Sequence, residues 1–227
     1  MGTPEQERAH RAYDSTGRRA RAAEGRLRIV AAATERFVAD GYASTTVAGI
    51  ARAAGVSAPT VYAAFGTKAA ILKTCIDVAL AGDDAPVSVV DRPLSQWVYD
   101  TDDARELLGR YAVMMGELAA RAAPIYDVLV RAADADPELR ALLADLERQR
   151  LRASAIVAEA VAARHGLPPG RSVDEARDVV WVCNAPELYV TLTRTRRWST
   201  RRYVEWSRNT LLQLVAAPPA PGDVPRR

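Results

Sequence analysis

Few side chains in this 227-residue chain have the residue types and spacing that metal binding or nucleophilic catalysis requires. The cysteines, Cys75 and Cys183, lie far apart, and the only histidines are His10 and His165. Such separation is typical neither of a metal-ligand cluster nor of a cysteine nucleophile with its base. We therefore expect two free, packed thiols in a reducing compartment, and no metal or other cofactor.

Two groups of carboxylates could serve as a general acid and a general base. They are Asp102-Asp103 and Asp134 with Asp136, and each stands where a helix is predicted to begin. Carboxylates at such positions bind free backbone N–H groups, which explains them without catalysis. Because no glycine-rich phosphate loop or nucleophile motif accompanies them, the sequence predicts that the chain is not an enzyme.

A different chemistry is indicated by GVSAPTVYAAFGTKAAIL, residues 55–72. Ser57 is predicted to cap a short helix, and Pro59 suits its first turn, where a missing N–H costs little. The open face of this helix carries small residues and one tyrosine, and a lysine follows it. A helix that enters the major groove of DNA needs small side chains at the bases and polar groups at its margins.

Under this interpretation Pro59, Thr60 and Ala63 contact thymine methyl groups, whereas Tyr62 and Lys68 hold backbone phosphates. The N-terminus of the following helix offers free N–H groups to a further phosphate. Two plainer alternatives remain open. Tyr62 could be buried under the helix, and Lys68 could be a solvated residue of the next helix.

The elements that must position these residues are predicted to be helices as well. Alanine dominates the apolar residues and no strand pattern is convincing, so the predicted fold class is all-α. An amphipathic helix with an inward face of Ile29, Ala32, Ala33 and Phe37 should end at Asp40-Gly41. Thr45 or Thr46 should cap the second helix, Ser57 the third and Thr67 a fourth that runs to about Leu80. The expected small core consists of Val47, Ile50, Ala51, Val56, Val61 and Phe65.

The second half also shows helix start and stop signals. One helix is predicted from Asp102-Asp103 to Arg121, and another to begin at Pro124. Asp136-Pro137 should open a third that runs to His165. The capping box Ser172 to Glu175 should open a fourth, to about Arg196, with a kink or break at Pro186. Ser199 should cap the last helix, which ends near Ala216.

Charge is unevenly distributed along the chain. Residues 1–75 hold 11 basic and 6 acidic residues, whereas the remainder holds 20 basic and 22 acidic ones. A positive N-terminal part predicts a polyanionic partner for that part alone. No apolar run approaches the roughly 18–20 residues of a membrane span, and no signal peptide is evident, so we expect a cytoplasmic protein without a membrane partner.

Residues 18–75 resemble the DNA-binding domain of TetR-family transcriptional regulators. The similar features are the A…F…GY end of the first helix, the TTV…IA…AGVS…TVY…F core and the K-x-x-(I/L)-L that follows. The resemblance implies a homodimeric repressor with an N-terminal three-helix helix-turn-helix DNA-binding domain and a C-terminal helical domain for ligand binding and dimerisation.

Family contacts transfer to this chain at seven positions. The resemblance assigns base contacts to Ala58, Pro59, Thr60 and Ala63, and phosphate contacts to Thr46, Tyr62 and Lys68. The chain departs from the family at Ala63 and Ala64, where bulky aromatic or histidine side chains are usual. Binding could then depend more on arginines of the N-terminal arm in a neighbouring minor groove, unless that arm is an ordinary disordered leader.

The predicted organisation has five parts. They are a flexible basic arm (1–25), the helix-turn-helix domain (26–66), a connecting helix (67–82), the ligand-binding and dimerisation domain (83–216) and a disordered tail (217–227).

The ligand site of the C-terminal domain is predicted from aromatic, methionine and polar residues, which suit a mostly apolar site with a few polar anchors. Pro186 should free backbone groups beside it, which makes Asn184 and Glu187 candidate anchors. The alternative is that these side chains are plain core. The candidate residues are Tyr111, Met114, Met115, Tyr126, Trp181, Asn184, Glu187 and Leu188.

The last two long helices carry more apolar surface than one packed face needs, which predicts a dimer interface over about 172–196 and 199–216. The leading hypothesis is a regulator, and most specifically a repressor released from a double-stranded DNA operator by a small apolar or amphipathic molecule. The alternative is a DNA-binding regulator or architectural protein without a small-molecule ligand.

Overall fold

The computed structural model describes residues 4–82 and 92–218, with side chains from residue 21 onward. Every regular element in these ranges is helical, which confirms the all-α fold class. The chain forms two compact units, which meet in sequence near the end of the fourth helix, at residues 78–85. The predicted tail from residue 219 and the linker residues 83–91 lie outside the described residues.

The first unit consists of four helices: α1 (Pro4–Ser44), α2 (Val47–Ala53), α3 (Ala58–Phe65) and the greater part of α4 (Lys68–Ala81). The caps are Thr46, Ser57 and Thr67, as predicted. Helical geometry in α1 is interrupted at Gly41, whose φ of 79° lies in the left-handed region that glycine adopts without strain. This agrees with the predicted end at Asp40-Gly41.

The N-terminal arm differs from the prediction, because α1 begins at Pro4 and residues 4–25 are helical. The physical reason is composition: this stretch is rich in Ala, Arg and Glu, which are strong helix formers. Its low apolar content predicted an irregular arm, but helix propensity does not require a buried face.

The core of the first unit confirms most of the predicted residues. Ile29, Val30, Ala33 and Phe37 of α1 are buried, and so are Val61 of α3 and the inner face of α4. Val47, Ile50 and Ala51 of α2 are buried too. Val56 and Phe65 are only half-buried, because they lie at the edges of this small core.

The second unit contains the remaining helices, which pack around one long central helix. They are α5 (Pro93–Tyr99), α6 (Ala104–Ala133), α7 (Pro137–Ala163), α8 (Val173–Cys183), α9 (Pro186–Val190) with a π-helical turn (Thr191–Thr195), and α10 (Thr200–Leu214). The central helix α6 packs against α5, α7, α9 and α10, and α7 also packs against α8.

Two prolines behave differently in this unit. Pro186 ends the long predicted helix: α8 stops at Cys183 and Pro186 starts α9, which confirms the break. The helix predicted to begin at Pro124 is wrong, because α6 runs through this proline without ending. Buried residues on both sides of it, among them Ala123 and Ile125, hold the helix together despite the missing hydrogen bond.

Glycine allows close packing of α6 against α10. A Cβ added at Gly116 would lie 2.2 Å from Cγ2 of Val204, far inside van der Waals contact. The two helices therefore approach at a point where no larger residue is accommodated. This contact fixes α10 on the helix that carries Tyr111 and Tyr126.

Candidate nucleic-acid interface and candidate ligand site

The short helix α3 is built by local signals. Oγ of Ser57 accepts a hydrogen bond from the Thr60 backbone N–H at 3.2 Å, and Pro59 lies in the first turn. Val61 is fully buried and fixes the inner face of the helix. Gly66, with φ of 79°, ends it after eight residues. This leaves most of the helix circumference open.

The open face of α3 carries the residues that the sequence assigned to base and phosphate contacts. Pro59, Thr60 and Ala63 are exposed, and Ala58 is half-exposed. The Tyr62 side chain is 54% exposed, which excludes the alternative of a tyrosine buried under the helix. The surface is therefore small and shallow, with one phenol at its margin.

Thr46 is exposed at the N-terminus of α2, where its Oγ1 accepts a hydrogen bond from Gly49 N–H at 3.0 Å. This bond uses the oxygen as acceptor, so the hydroxyl hydrogen can still be donated to a phosphate. The neighbouring Thr45 is buried, and its hydroxyl bonds to the Gly41 carbonyl at 2.8 Å. Of the two candidates for the cap, only Thr46 therefore offers a group to a partner.

Lys68 is placed differently from what either interpretation of the sequence expected. Its Nζ donates to the carbonyl oxygens of Tyr42, at 2.8 Å, and Thr45, at 3.1 Å. It also lies 4.1 Å from the centroid of the Tyr42 ring. The ammonium is thus half-buried and bound within the protein, and it would have to leave two carbonyls to reach a phosphate. The geometry favours a role in holding the end of α1 to the start of α4.

Arg26 is a second cation that holds this unit together, and the sequence analysis did not select it. Its Nη1 donates to the Ala64 carbonyl oxygen at 2.8 Å, and its guanidinium lies 4.2 Å from the Phe65 ring centroid. Arg26 therefore fixes the C-terminal end of α3 to α1. The two partners are 38 positions apart, and no local signal connects them.

In the second unit, a polar network connects part of the predicted ligand site. Nδ2 of Asn184 donates to the Tyr111 hydroxyl at 2.7 Å and to Oγ of Ser154 at 3.2 Å. Asn184 is the residue at which α8 ends, just before the break at Pro186. Tyr111 and Asn184 are buried. Burial raises the pKa of Tyr111, so its hydroxyl stays protonated at neutral pH.

Arg150 and Glu147 of α7 complete this network, and neither was predicted. The Arg150 Nη1 donates to Asn184 Oδ1 at 2.8 Å and to the Trp181 carbonyl, and its guanidinium lies 4.5 Å from the Trp181 ring centroid. Glu147 pairs with Arg150 and accepts a hydrogen bond from the Tyr126 hydroxyl. Burial and this carboxylate raise the pKa of Tyr126. We name Tyr111, Tyr126, Glu147, Arg150, Ser154, Trp181 and Asn184 the Arg150 network.

The other four ligand candidates are less closely connected with the Arg150 network. Met114 is buried, with its sulfur 3.6 Å from Oγ of Ser95, and Met115 is half-buried against the same core. Glu187 is exposed but close enough to Tyr126 to raise the pKa of that tyrosine. Leu188 is half-buried on α9. The candidate site is thus centred on α6, α7 and α8, with α9 at its margin.

The two thiols are buried in different units. Burial raises the pKa of both Cys75 and Cys183 to about 11, so both stay protonated and unreactive at neutral pH. This agrees with the prediction of packed, free thiols. Among the described residues, no helix is long and apolar enough to cross a membrane.

Comparison with known proteins connects the first unit to a family. Residues 29–75, from the middle of α1 into α4, match the family model described as bacterial regulatory proteins, tetR family. No curated protein matches the sequence.

Solved structures of regulators share the fold over most of the chain. NalD, the secondary repressor of the MexAB-OprM multidrug efflux pump in Pseudomonas aeruginosa, is 21% identical; the match covers 85% of this chain and 97% of that one, with a TM-score of 0.64. FadR from Bacillus subtilis, in complex with stearoyl-CoA, is 20% identical over 83% of this chain and 97% of that one, with a TM-score of 0.63. A TetR-family regulator from Syntrophomonas wolfei is 15% identical; the match covers 83% of this chain and 93% of that one, with a TM-score of 0.67.

Proposed function

The chain belongs to the TetR family of bacterial regulatory proteins, and we propose that it is a sequence-specific repressor, released from its operator by a small apolar or amphipathic molecule. Members of this family are DNA-binding transcriptional regulators and generally not enzymes. The observation that carries the proposal is the open face of α3, with Pro59, Thr60, Tyr62 and Ala63 all exposed. A buried Val61 and a capped N-terminus hold that face rigidly.

Base contacts are assigned to Ala58, Pro59, Thr60 and Ala63, because their methyl and methylene groups match thymine methyl groups and allow close approach. The Thr60 hydroxyl lies 2.7 Å from Oγ of Ser57, so mainly its methyl group is available to a base. Phosphate contacts are assigned to Thr46 and Tyr62. Lys68 is assigned instead to holding α4 to the end of α1, and Arg26 to positioning α3.

We assign a homodimer to α8 and α10. Val182 of α8 is 55% exposed and Leu214 of α10 is 43% exposed, although both helices contribute other residues to the core. Large apolar side chains exposed on adjacent helices are typical of an interface. A dimer also serves recognition, because one eight-residue helix reads too few bases and two half-sites add their binding free energies.

The effector is assigned to the Arg150 network and the apolar residues beside it, because polar groups there lie among buried aromatic and aliphatic side chains. The alternative, a regulator without a ligand, has one observation in its favour. Asn184 already donates both amide hydrogens to neighbours within the protein, and its amide oxygen accepts from a third neighbour. Under that alternative the network only ties α6, α7 and α8 together.

Selection from a pool of random duplex DNA with the purified full-length protein tests the proposed DNA binding. We expect enrichment of a two-fold symmetric site with half-sites about one helical turn apart. The enriched duplex then serves in a screen of amphipathic molecules for release. Failure to enrich any sequence would contradict the regulator, whereas enrichment without release by any ligand would favour the alternative.

A further inference from the structure

The Arg150 network contains hydrogen-bond donors without acceptors. Nε1 of Trp181 is buried and has no hydrogen-bond partner among the described residues. The Tyr111 hydroxyl accepts from Asn184, but within the described part of the chain no acceptor takes its own hydrogen. A buried donor that is left unpaired destabilises the protein, so such groups usually have a partner.

The acceptors of the same network are already in use. Asn184 Oδ1 accepts from Arg150, and Ser154 Oγ accepts from Asn184. The Glu147 carboxylate accepts from Arg150 through both oxygens and from Tyr126 through one of them. The network therefore has surplus donors at Tyr111 and Trp181, which bond or stack with its central Asn184 and Arg150. Arg150, which pairs with Glu147, also stacks its guanidinium on the Trp181 ring.

We propose that the effector binds through a hydrogen-bond acceptor, a carbonyl or carboxylate oxygen, that receives the Tyr111 hydroxyl and the Trp181 indole N–H. This inference rests on the proposed effector response and narrows its chemistry. A cationic ammonium head group is disfavoured, because it has only donors and would face two further donors and a guanidinium. The Glu147 carboxylate does not offset this, since Arg150 and Tyr126 already occupy it.

Calorimetry with the full-length protein in the absence of DNA tests the head-group preference. The probes are octanoate, octanamide and octylammonium, with 2-naphthoate, 2-naphthamide and 2-naphthylmethylammonium as an aromatic series of the same three heads. Within at least one series we expect the carboxylate or the amide to bind at least about tenfold more tightly than the ammonium. A difference of this size corresponds to a single good hydrogen bond. Equal or tighter binding of the ammonium compounds, or no binding by any probe, would overturn the proposal.

The indole donor is tested by Trp181→Phe, which keeps an aromatic ring under Arg150 and removes the unpartnered N–H together with part of the bicyclic ring. We expect the amide of the binding series to lose about tenfold in affinity, whereas binding of the ammonium probe stays unchanged. The matched control is Trp97→Phe, since Arg110 lies 5.2 Å from the Trp97 ring in the same way. Equal loss in both variants, or no loss in either, would refute the assignment to Trp181.

A measurement that leaves Trp181 in place covers the case in which Trp181→Phe does not fold. The chain has four tryptophans, so four indole N–H signals are expected in a ¹⁵N-labelled sample. One signal should move downfield when the amide binds. It is assigned to Trp181 by its presence in the Trp97→Phe spectrum and by contacts to Arg150, which lies over the Trp181 ring. An unchanged signal at saturating amide would contradict the proposal.

Failure of this inference is separate from failure of the proposed function. If ammonium compounds release the protein from its enriched duplex, the repressor stands and the acceptor site is wrong. If acceptor compounds bind with the expected preference and leave DNA binding unchanged, the site stands and release by the effector is wrong.

Discussion

Lys68 and Arg26 place their charges against backbone carbonyls at helix ends. Lys68 donates to the Tyr42 carbonyl near the end of α1 and to the Thr45 carbonyl just after it, and Arg26 donates to one near the end of α3. Carbonyls at the C-terminus of a helix carry partial negative charge, so cations there are stabilising. Each cation also stacks on an aromatic ring, Tyr42 or Phe65. Arg26 therefore fixes the end of α3 to α1, and Lys68 fixes the start of α4 to the end of α1.

Replacing Lys68 by alanine should lower the free energy of unfolding by about 2 kcal/mol, because hydrogen bonds to a charged group and a cation–π contact are lost. The slope of log affinity for DNA against log salt should stay unchanged, because no phosphate contact is removed. The control is Lys73→Ala, the only other lysine, whose exposed i,i+4 pair with Asp77 is worth little. Thermal unfolding and salt titration measure both quantities. A salt slope that falls by about one with unchanged stability would restore the phosphate contact.

The sequence identified four of the seven residues of the Arg150 network, and it missed Glu147 and Arg150 for a definite reason. Tyr111, Tyr126 and Asn184 are conspicuous as aromatic or polar residues on apolar faces, and a proline marks Asn184. Glu147 and Arg150 are spaced i,i+3 on α7, which in the sequence is indistinguishable from an ordinary surface ion pair. Only the packing of α7 against α6 and α8 turns that pair inward, and no local pattern encodes this rotation.

Helix starts were predictable because their signals are local. The observed caps Thr46, Ser57, Thr67, Asp103, Asp136, Ser172 and Ser199 were all selected from residue type and position. The helix α5 was missed, because its seven residues start at Pro93 without a side-chain cap. The continuity of α6 through Pro124 was missed because it depends on tertiary packing, which outweighs the local cost of proline.

The contact between α6 and α10 predicts an unusual effect of alanine in a helix. Glycine to alanine within a helix normally stabilises by roughly 0.5–1 kcal/mol. Gly116→Ala should instead destabilise by about 1–3 kcal/mol, because its Cβ would collide with the β-branched Val204.

Gly109→Ala in the same helix is the control, since its Cβ would lie 3.4 Å from the flexible end of Arg208. Thermal or urea unfolding of the two variants should show opposite signs. If Gly116→Ala were as stable as the control, the close approach of α6 and α10 would be wrong.

For the molecule as a whole, the exposed apolar residues of α8 and α10 predict association. Val182→Asp or Leu214→Asp should convert a dimer into monomers that stay folded, because both side chains are exposed within one protomer. Leu211 is unsuitable for this test, although the sequence placed it in the interface, because it is buried within the protomer. Ile156→Asp on α7, with 45% exposure, is the control and should remain dimeric. Light scattering coupled to size exclusion separates the outcomes, and a monomeric unmodified protein would refute the interface.

DNA binding by the open face of α3 underlies the proposed function, and a negative charge introduced at that face is its sharpest test. In Ala63→Glu a carboxylate stands where the phosphates and base edges would lie, so affinity for the enriched duplex should fall at least about tenfold. Ala31→Glu places the same charge on an exposed position of α1 in the same unit and serves as the control. The measurement is equilibrium binding of both variants to the enriched duplex, with unfolding curves to show that both are folded. We expect loss of binding for Ala63→Glu alone; equal affinity of the two variants would refute DNA binding by this face.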